Sequence, residues 1–158
     1  MLDILVVDDH ALLRAGLEFM LGATPDLRVV GSAASGEDAV RLAQELRPDV
    51  VLMDLCMPGM DGLEATRRVR RLPEPPTVVI LSTTCAAAVV RDAFDAGATG
   101  YLVKDMPADR LLGSLRGLAH GRSAMDPRAA RILDRRRRSA QDPAQPPLAR
   151  RPALPTQV

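Results

Sequence analysis

Five polar residues stand where short apolar runs end, and together they could move a phosphoryl group. Asp8 and Asp9 follow Asp3-Ile4-Leu5-Val6-Val7, and Asp54 follows Val50 to Met53. Ser82 follows Val78 to Leu81, and Lys104 follows Gly100 to Val103. Apolar runs of this length read as buried strands of a parallel sheet. In open α/β sheets, ligand sites form beyond the carboxyl ends of the strands. All five side chains are therefore expected at one edge. Three carboxylates held there repel one another unless a cation intervenes. Mg²⁺ suits such a place, being a hard ion that takes oxygen ligands and keeps positions for water or phosphoryl oxygens. A carboxylate can attack phosphorus to give an acyl phosphate. A metal ion and an ammonium would neutralise the charge that develops on the equatorial oxygens, and the Ser82 hydroxyl could donate a hydrogen bond to one of them. Singly, each residue has an ordinary explanation: an Asp or Ser at a strand end forms turns, and a lone Lys is solvated. The joint pattern at four strand ends is harder to explain that way.

The elements that must position these groups alternate strand and helix. After the first strand, Leu13, Leu17, Met20 and Leu21 recur at helical spacing, with Gly22 near the end. Leu27 to Ala33 is a second strand. Ser35-Gly36-Glu37-Asp38 resembles a capping box, Ala39, Ala43 and Leu46 follow on one face, and Pro48 stops that helix. Pro58-Gly59 and Asp61-Gly62 mark a loop after the third strand, and Leu63 to Leu72 reads as a helix broken by Pro73, Pro75 and Pro76. Residues 86–96 form an Ala-rich helix stopped by Gly97. Pro107 suits the first turn of a helix whose Leu111, Leu112, Leu115 and Leu118 face inward. Five βα units predict an α/β fold, a parallel sheet with helices on both faces.

The chain has 158 residues, room for one domain and a short appendage. Aromatic residues make up 2% and Trp is absent, which argues against a platform that stacks nucleic-acid bases. The apolar runs are too short to span a bilayer, and no basic stretch precedes an apolar block at the start. Cys56 and Cys85 lack the spacing of a disulfide scaffold or a zinc site. No membrane association is expected, and the cytoplasm is the expected location. The net charge of +1 hides an asymmetry. Residues 1–120 hold 12 Lys/Arg and 17 Asp/Glu, a net −5, whereas residues 121–158 hold nine and three, a net +6. Asp126-Pro127 looks like a cap and first-turn proline of a short basic helix, on which Arg128, Arg131, Arg135 and Arg138 fall on one side. Its plainer meaning is a solvated linker, with nonspecific contact to phosphates as the alternative. Five prolines among residues 139–158 and few large apolar groups predict a disordered Pro/Arg-rich tail. The organisation expected is thus a 1–120 body, a 121–138 basic linker helix and a 139–158 tail.

Three segments carry a specific resemblance. Val6-Val7-Asp8-Asp9-His10, Met53-Asp54-Leu55-Cys56-Met57-Pro58-Gly59-Met60-Asp61-Gly62, and Ala96-Gly97-Ala98-Thr99-Gly100-Tyr101-Leu102-Val103-Lys104-Asp105 resemble receiver domains of two-component response regulators. The resemblance covers about residues 2–120. The Asp8-Asp9-His10 start, the Lys104-Asp105 pair and the segment Asp126 to Leu133 are similar to the NarL/LuxR-type subfamily. The resemblance implies a doubly wound, flavodoxin/CheY-like (βα)5 fold with strand order 2-1-3-4-5. It makes Asp54 the phosphoacceptor, with Asp9 and Asp54 binding Mg²⁺ directly, Asp8 through water, and the Cys56 backbone carbonyl completing the protein ligands. It makes Ser82 the switch hydroxyl, Tyr101 the switch aromatic and Lys104 the partner of the phosphoryl group. It implies a sensor histidine kinase as donor, small phosphodonors as substitutes, and a phosphorylation-dependent homodimer through the face of the fourth helix, fifth strand and fifth helix. Such a domain catalyses only its own phosphorylation and dephosphorylation and is otherwise no enzyme.

This sequence departs from the subfamily in places. Cys56, two residues after Asp54, cannot orient a water as an amide could, and Thr84 occupies the comparable place after Ser82; a long-lived phosphoryl group is expected. Cys85-Ala86-Ala87-Ala88 lacks the acidic and aromatic residues common there. The subfamily's C-terminal helix-turn-helix domain is not recognisable in residues 121–158, so DNA is a partner only if such a domain is restored. The expected function is a receiver that signals through protein contacts. The alternative is a truncated or diverged NarL/LuxR-type DNA-binding transcription regulator. A haloacid-dehalogenase-type hydrolase, which shares the nucleophilic Asp and Mg²⁺, needs a second Asp where Cys56 stands.

Overall fold

The computed structural model describes residues 1–141. In chain order it contains β1 (Leu2–Val7), α1 (Ala11–Gly22), β2 (Leu27–Ala33), α2 (Gly36–Leu46), β3 (Val50–Asp54), α3 (Gly62–Arg70), β4 (Thr77–Ser82), α4 (Ala87–Asp95), β5 (Gly100–Val103), α5 (Ala108–Leu118) and α6 (Pro127–Gln141). The five strands form one parallel sheet in the order β2-β1-β3-β4-β5, the doubly wound flavodoxin/CheY-like arrangement.

Alternation along the strands divides the core in two. Leu5, Val7, Val51, Met53, Val78, Ile80, Tyr101 and Val103 face α2, α3 and α4 through residues such as Ala39, Ala43, Ala65, Val69, Val90 and Ala93. Ile4, Val6, Val50, Leu52, Val79, Leu81 and Leu102 face α1 and α5 through Leu17, Leu21, Leu111 and Leu115. With both sheet faces covered, every residue of β3 is buried, which explains its unbroken apolar run.

The helix starts follow from side-chain caps. His10 Nδ1 accepts from the Leu13 amide at 3.2 Å, Ser35 Oγ from Asp38 at 3.2 Å, and Asp61 Oδ1 from Glu64 at 2.9 Å. Some boundaries differ from the sequence pattern. Pro107 is the residue before α5 rather than part of its first turn. α3 begins at Gly62 and ends at Arg70, short of Leu72, because the Arg71 and Leu72 amides turn back to the Arg68 and Val69 carbonyls. Gly97, with φ +108°, takes the backbone beyond the end of α4 into a region that side chains disfavour.

The C-terminal segment docks on the body. The Tyr101 amide donates to the Ala124 carbonyl at 2.9 Å, and the Asp126 amide donates to the Tyr101 carbonyl at 2.7 Å. Residues 124–126 thereby cover the free edge of β5. Asp126 Oδ1 accepts from the Arg128 amide at 2.8 Å, and Pro127 is the first residue of α6, as the cap pattern requires. α6 buries Ala129 and packs Ile132 and Leu133 against the α2–α4 side of the core. The helix does not stop at 138: residues 139–141, expected in the disordered tail, are helical, and Ser139 Oγ donates back to the Arg135 carbonyl at 3.0 Å. The rest of that tail, 142–158, lies outside the described residues.

Gly62 presses the start of α3 onto the end of β3. Its amide donates to the Leu55 carbonyl at 2.9 Å. A Cβ at this position would collide with the Asp54 carbonyl oxygen and stand 2.7 Å from Leu55 Cα, both immovable backbone atoms. Gly62→Ala is expected to lower stability by about 1–3 kcal/mol, the usual cost of overpacking, read as a lower urea midpoint. An unchanged midpoint would refute the close approach.

Candidate functional site

Because β1 and β3 are neighbours, Asp8, Asp9 and Asp54 emerge side by side at the carboxyl edge of the sheet. One carboxylate oxygen from each lies within 4.8 Å of the others. Asp8 and Asp54 are 1% and 5% exposed, while Asp9 is open to solvent. Lys104 reaches in from the end of β5, its Nζ 2.8 Å from Asp8 Oδ2 and 3.1 Å from Asp54 Oδ1. The five-residue pattern therefore converges as expected for Asp8, Asp9, Asp54 and Lys104. Ser82 joins through the backbone: the Lys104 amide donates to the Ser82 carbonyl at 2.7 Å, and the buried Ser82 Oγ accepts from the Thr84 amide at 3.3 Å. Tyr101 is fully buried and its hydroxyl donates to the Thr84 carbonyl at 2.6 Å, so it ties β5 to the β4–α4 loop. Cys56 is exposed in the loop after β3, and Cys85 is half-buried before α4.

Burial pushes the Asp54 carboxyl above its ordinary value; the hydrogen bond and charge of Lys104 pull it back, and the Asp8 and Asp9 charges add to the rise. Burial works against the Lys104 ammonium too, but its hydrogen bonds to Asp8 and Asp54 outweigh that and raise it. Burial also raises the Tyr101 hydroxyl. The site thus holds carboxylate charge that one ammonium only partly offsets. Its donor set consists of oxygens with one carboxylate open to water, which fits a hard divalent cation.

Two supporting residues escape a reading of the sequence. Arg14 Nη1 donates to the Asp8 backbone carbonyl at 2.6 Å, bracing the loop that presents both acids. Glu37 Oε1 accepts from the Met60 amide at 3.1 Å, which anchors the β3–α3 loop to the start of α2. Glu37 meets a backbone amide 23 residues away, and Arg14 folds back six residues onto a carbonyl; neither fits a capping or helical spacing that would announce it. The second acid of the Ser35–Asp38 box does not reach back to close it either; Asp38 pairs with Arg41 instead.

An acidic pocket of this kind at the strand ends of a β2-β1-β3-β4-β5 sheet is the arrangement of a signalling receiver module. The model of the response regulator receiver domain matches residues 4–116, and the chain belongs to that family. Its relatives are of NarL/LuxR type. LiaR of Bacillus subtilis is 38% identical over 143 residues, covering 90% of this chain and 68% of LiaR. The response regulator GacA of Pseudomonas aeruginosa is 42% identical, covering 84% of this chain and 62% of GacA. NarL of Escherichia coli is 38% identical, covering 82% of this chain and 60% of NarL. The chain thus spans under two thirds of the length of the latter two. Among solved structures, a LuxR-family response regulator from Aurantimonas superposes with a TM-score of 0.79 at 35% identity, covering 87% of this chain and 98% of that one. The signal receiver domain of NarL from Mycobacterium tuberculosis gives 0.72 at 36% identity, covering 77% and 98%. Among the described residues, no helix is long and apolar enough to cross a membrane.

A carboxyl raised above its unfolded value binds its proton more tightly in the native state. Its contribution to stability therefore falls as pH rises from below 3.8 through the raised value. In EDTA at neutral pH, the neutral isostere Asp54→Asn is expected to melt at a higher temperature than wild type, with the gap closing on acidification. A lower melting temperature would contradict the excess of negative charge.

Proposed function

We propose that this chain accepts a phosphoryl group on Asp54 from the phosphohistidine of a sensor histidine kinase and switches partner contacts in response. The observation that carries this is the Asp54 carboxylate, 3.1 Å from Lys104 Nζ and clustered with Asp8 and Asp9. Asp9 and Asp54 would hold Mg²⁺ directly, Asp8 through water, with the Cys56 backbone carbonyl as the remaining protein ligand. When bound, the ion supplies positive charge to the phosphoryl oxygens and offsets the three carboxylates.

An Asp54 Oδ attacks phosphorus as the bond to the donor imidazole nitrogen breaks, and the electron pair leaves with the imidazole. Lys104 shifts from its carboxylate partners towards the new phosphoryl oxygens. The Ser82 hydroxyl turns to donate to one of them and gives up its contact with the Thr84 amide. Because Tyr101 is bonded to the neighbouring Thr84 carbonyl, movement in this loop is passed to β5. The phosphoryl group shifts the equilibrium only by its differential affinity for the two arrangements. The output is a change in the face of α4, β5 and α5, where residues 124–126 cover the β5 edge and α6 covers the α4 flank, and its expected readout is a phosphorylation-dependent homodimer in the cytoplasm. Cys56 offers no amide to orient an attacking water, so the acyl phosphate persists.

The relatives' designation as transcriptional regulatory proteins supports a second reading, in which this chain is the receiver portion of a DNA-binding regulator. A coding frame that continues into a helix-turn-helix would decide for it.

Incubation with Mg²⁺ and a small phosphodonor is expected to add one phosphoryl mass, seen by intact mass spectrometry, and Asp54→Ala abolishes the gain. A gain that survives Asp54→Ala refutes the acceptor assignment. After donor removal, the phosphorylated protein is expected to decay over many minutes, and Cys56→Asn to shorten its life. A wild-type half-life of seconds would contradict the role given to Cys56.

A further inference from the structure

We infer that the outer face of α6 is a docking surface for the phosphate backbone of duplex nucleic acid, independent of base sequence. At 100° per residue, Arg128, Arg131, Arg135 and Arg138 fall within an arc of about 80° and span about 15 Å of helix. Arg128 is partly neutralised, its Nε lying 3.0 Å from Asp126 Oδ1 and an Nη 3.4 Å from Asp105. Arg131, Arg135 and Arg138 are exposed, and none has a carboxylate within 4.0 Å among the described residues. Asp134, the single acid of α6, sits on the flank of the row without an ion pair there.

The row is held rather than free. Ala129 is buried, Ile132 and Leu133 pack on the core, and Arg136 on the side towards α4 is 2.7 Å from Asp95. These contacts seat the helix with Arg131 and Arg138 away from the groove to α4 and Arg135 at its edge, where Asp92 and Asp95 also line it. Arg128, Arg131 and Arg135, with Ile132, border a shallow, open depression of about 290 Å³. Guanidinium forks match phosphate oxygens.

The surroundings select the partner. Protein interfaces centre on apolar or aromatic groups, and the only apolar group at this face is the partly buried Ile132 among its arginines. A membrane-surface helix needs its apolar side free, but α6 spends that side on the body. Single strands require stacking aromatics, and α6 has none. What fits is the regular phosphate array of a duplex. The body, a net −5 over residues 1–120, repels a polyanion and steers it to α6.

The test is fluorescence anisotropy of the full chain with two unrelated duplex DNAs across low to physiological salt. Both are expected to bind equally, with affinity falling as salt rises. Arg131→Gln/Arg135→Gln/Arg138→Gln is expected to weaken binding at least tenfold at low salt and to flatten the log–log salt slope by about 2.7, from three lost phosphate contacts. Arg41→Gln/Arg67→Gln/Arg71→Gln removes the same charge from the body and is expected to leave the slope unchanged. The assay contains no phosphodonor, so this surface stands or falls apart from the phosphorylation proposed above. The inference is overturned by no binding at the lowest salt, by equal loss in both triple variants, by preference for one duplex, or by equally tight binding of polyglutamate.

Discussion

Charge repulsion among three carboxylates, partly relieved by one ammonium, is the constraint on which the rest of this structure turns. Two unit charges about 4 Å apart in a partly buried site repel by roughly 4 kcal/mol. Asp8 and Asp54 are both nearly buried, and Lys104 contacts them at 2.8 and 3.1 Å. Breaking such a pair is costly because it leaves an unpaired buried charge. The pocket therefore calls for a further cation, and its open side at Asp9 leaves room for one. The balance is poised to respond to a group that redistributes the charge, as the phosphoryl group proposed for Asp54 would.

Holding like charges together requires a rigid frame. Strand order places β1 beside β3, with β4 and β5 following, so the acids, Ser82 and Lys104 emerge in sequence along one edge. The frame is braced from the backbone side: Arg14 grips the Asp8 carbonyl, Gly62 lies against the Asp54 carbonyl, and His10 donates its amide to Asp8 Oδ1 at 2.8 Å. Buried Tyr101 extends the same frame outward. Its hydroxyl bonds the β4–α4 loop, and its backbone bonds both Ala124 and Asp126. Tyr101, half of the switch proposed with Ser82, is thus itself the docking point of the C-terminal segment.

That segment shows how a polar, arginine-rich stretch becomes ordered. α6 has little apolar surface, yet Ala129, Ile132 and Leu133 fall on one stripe and meet α4. The remaining face is left to solvent and is strongly basic, while the body is acidic. The separation of charge visible along the chain is therefore also a separation in space.

Much of the fold and site was legible from residue types alone. Buried parallel strands need continuous apolar runs, and strand ends in such a sheet must share an edge, so Asp8, Asp9, Asp54 and Lys104 could be placed together before any coordinates. Caps such as Ser35 and Asp126 were equally readable, because a cap acts within four residues of itself. The tertiary structure alone decided the rest: the grip of Glu37 on the remote Met60 amide, the turn of Arg14 back onto the Asp8 carbonyl, the inward pose of Tyr101, the intolerance at Gly62, and the docking of residues 124–141 past the boundary that composition suggested. Those depend on which backbone groups come to lie opposite a side chain, and spacing along the chain carries no information about that.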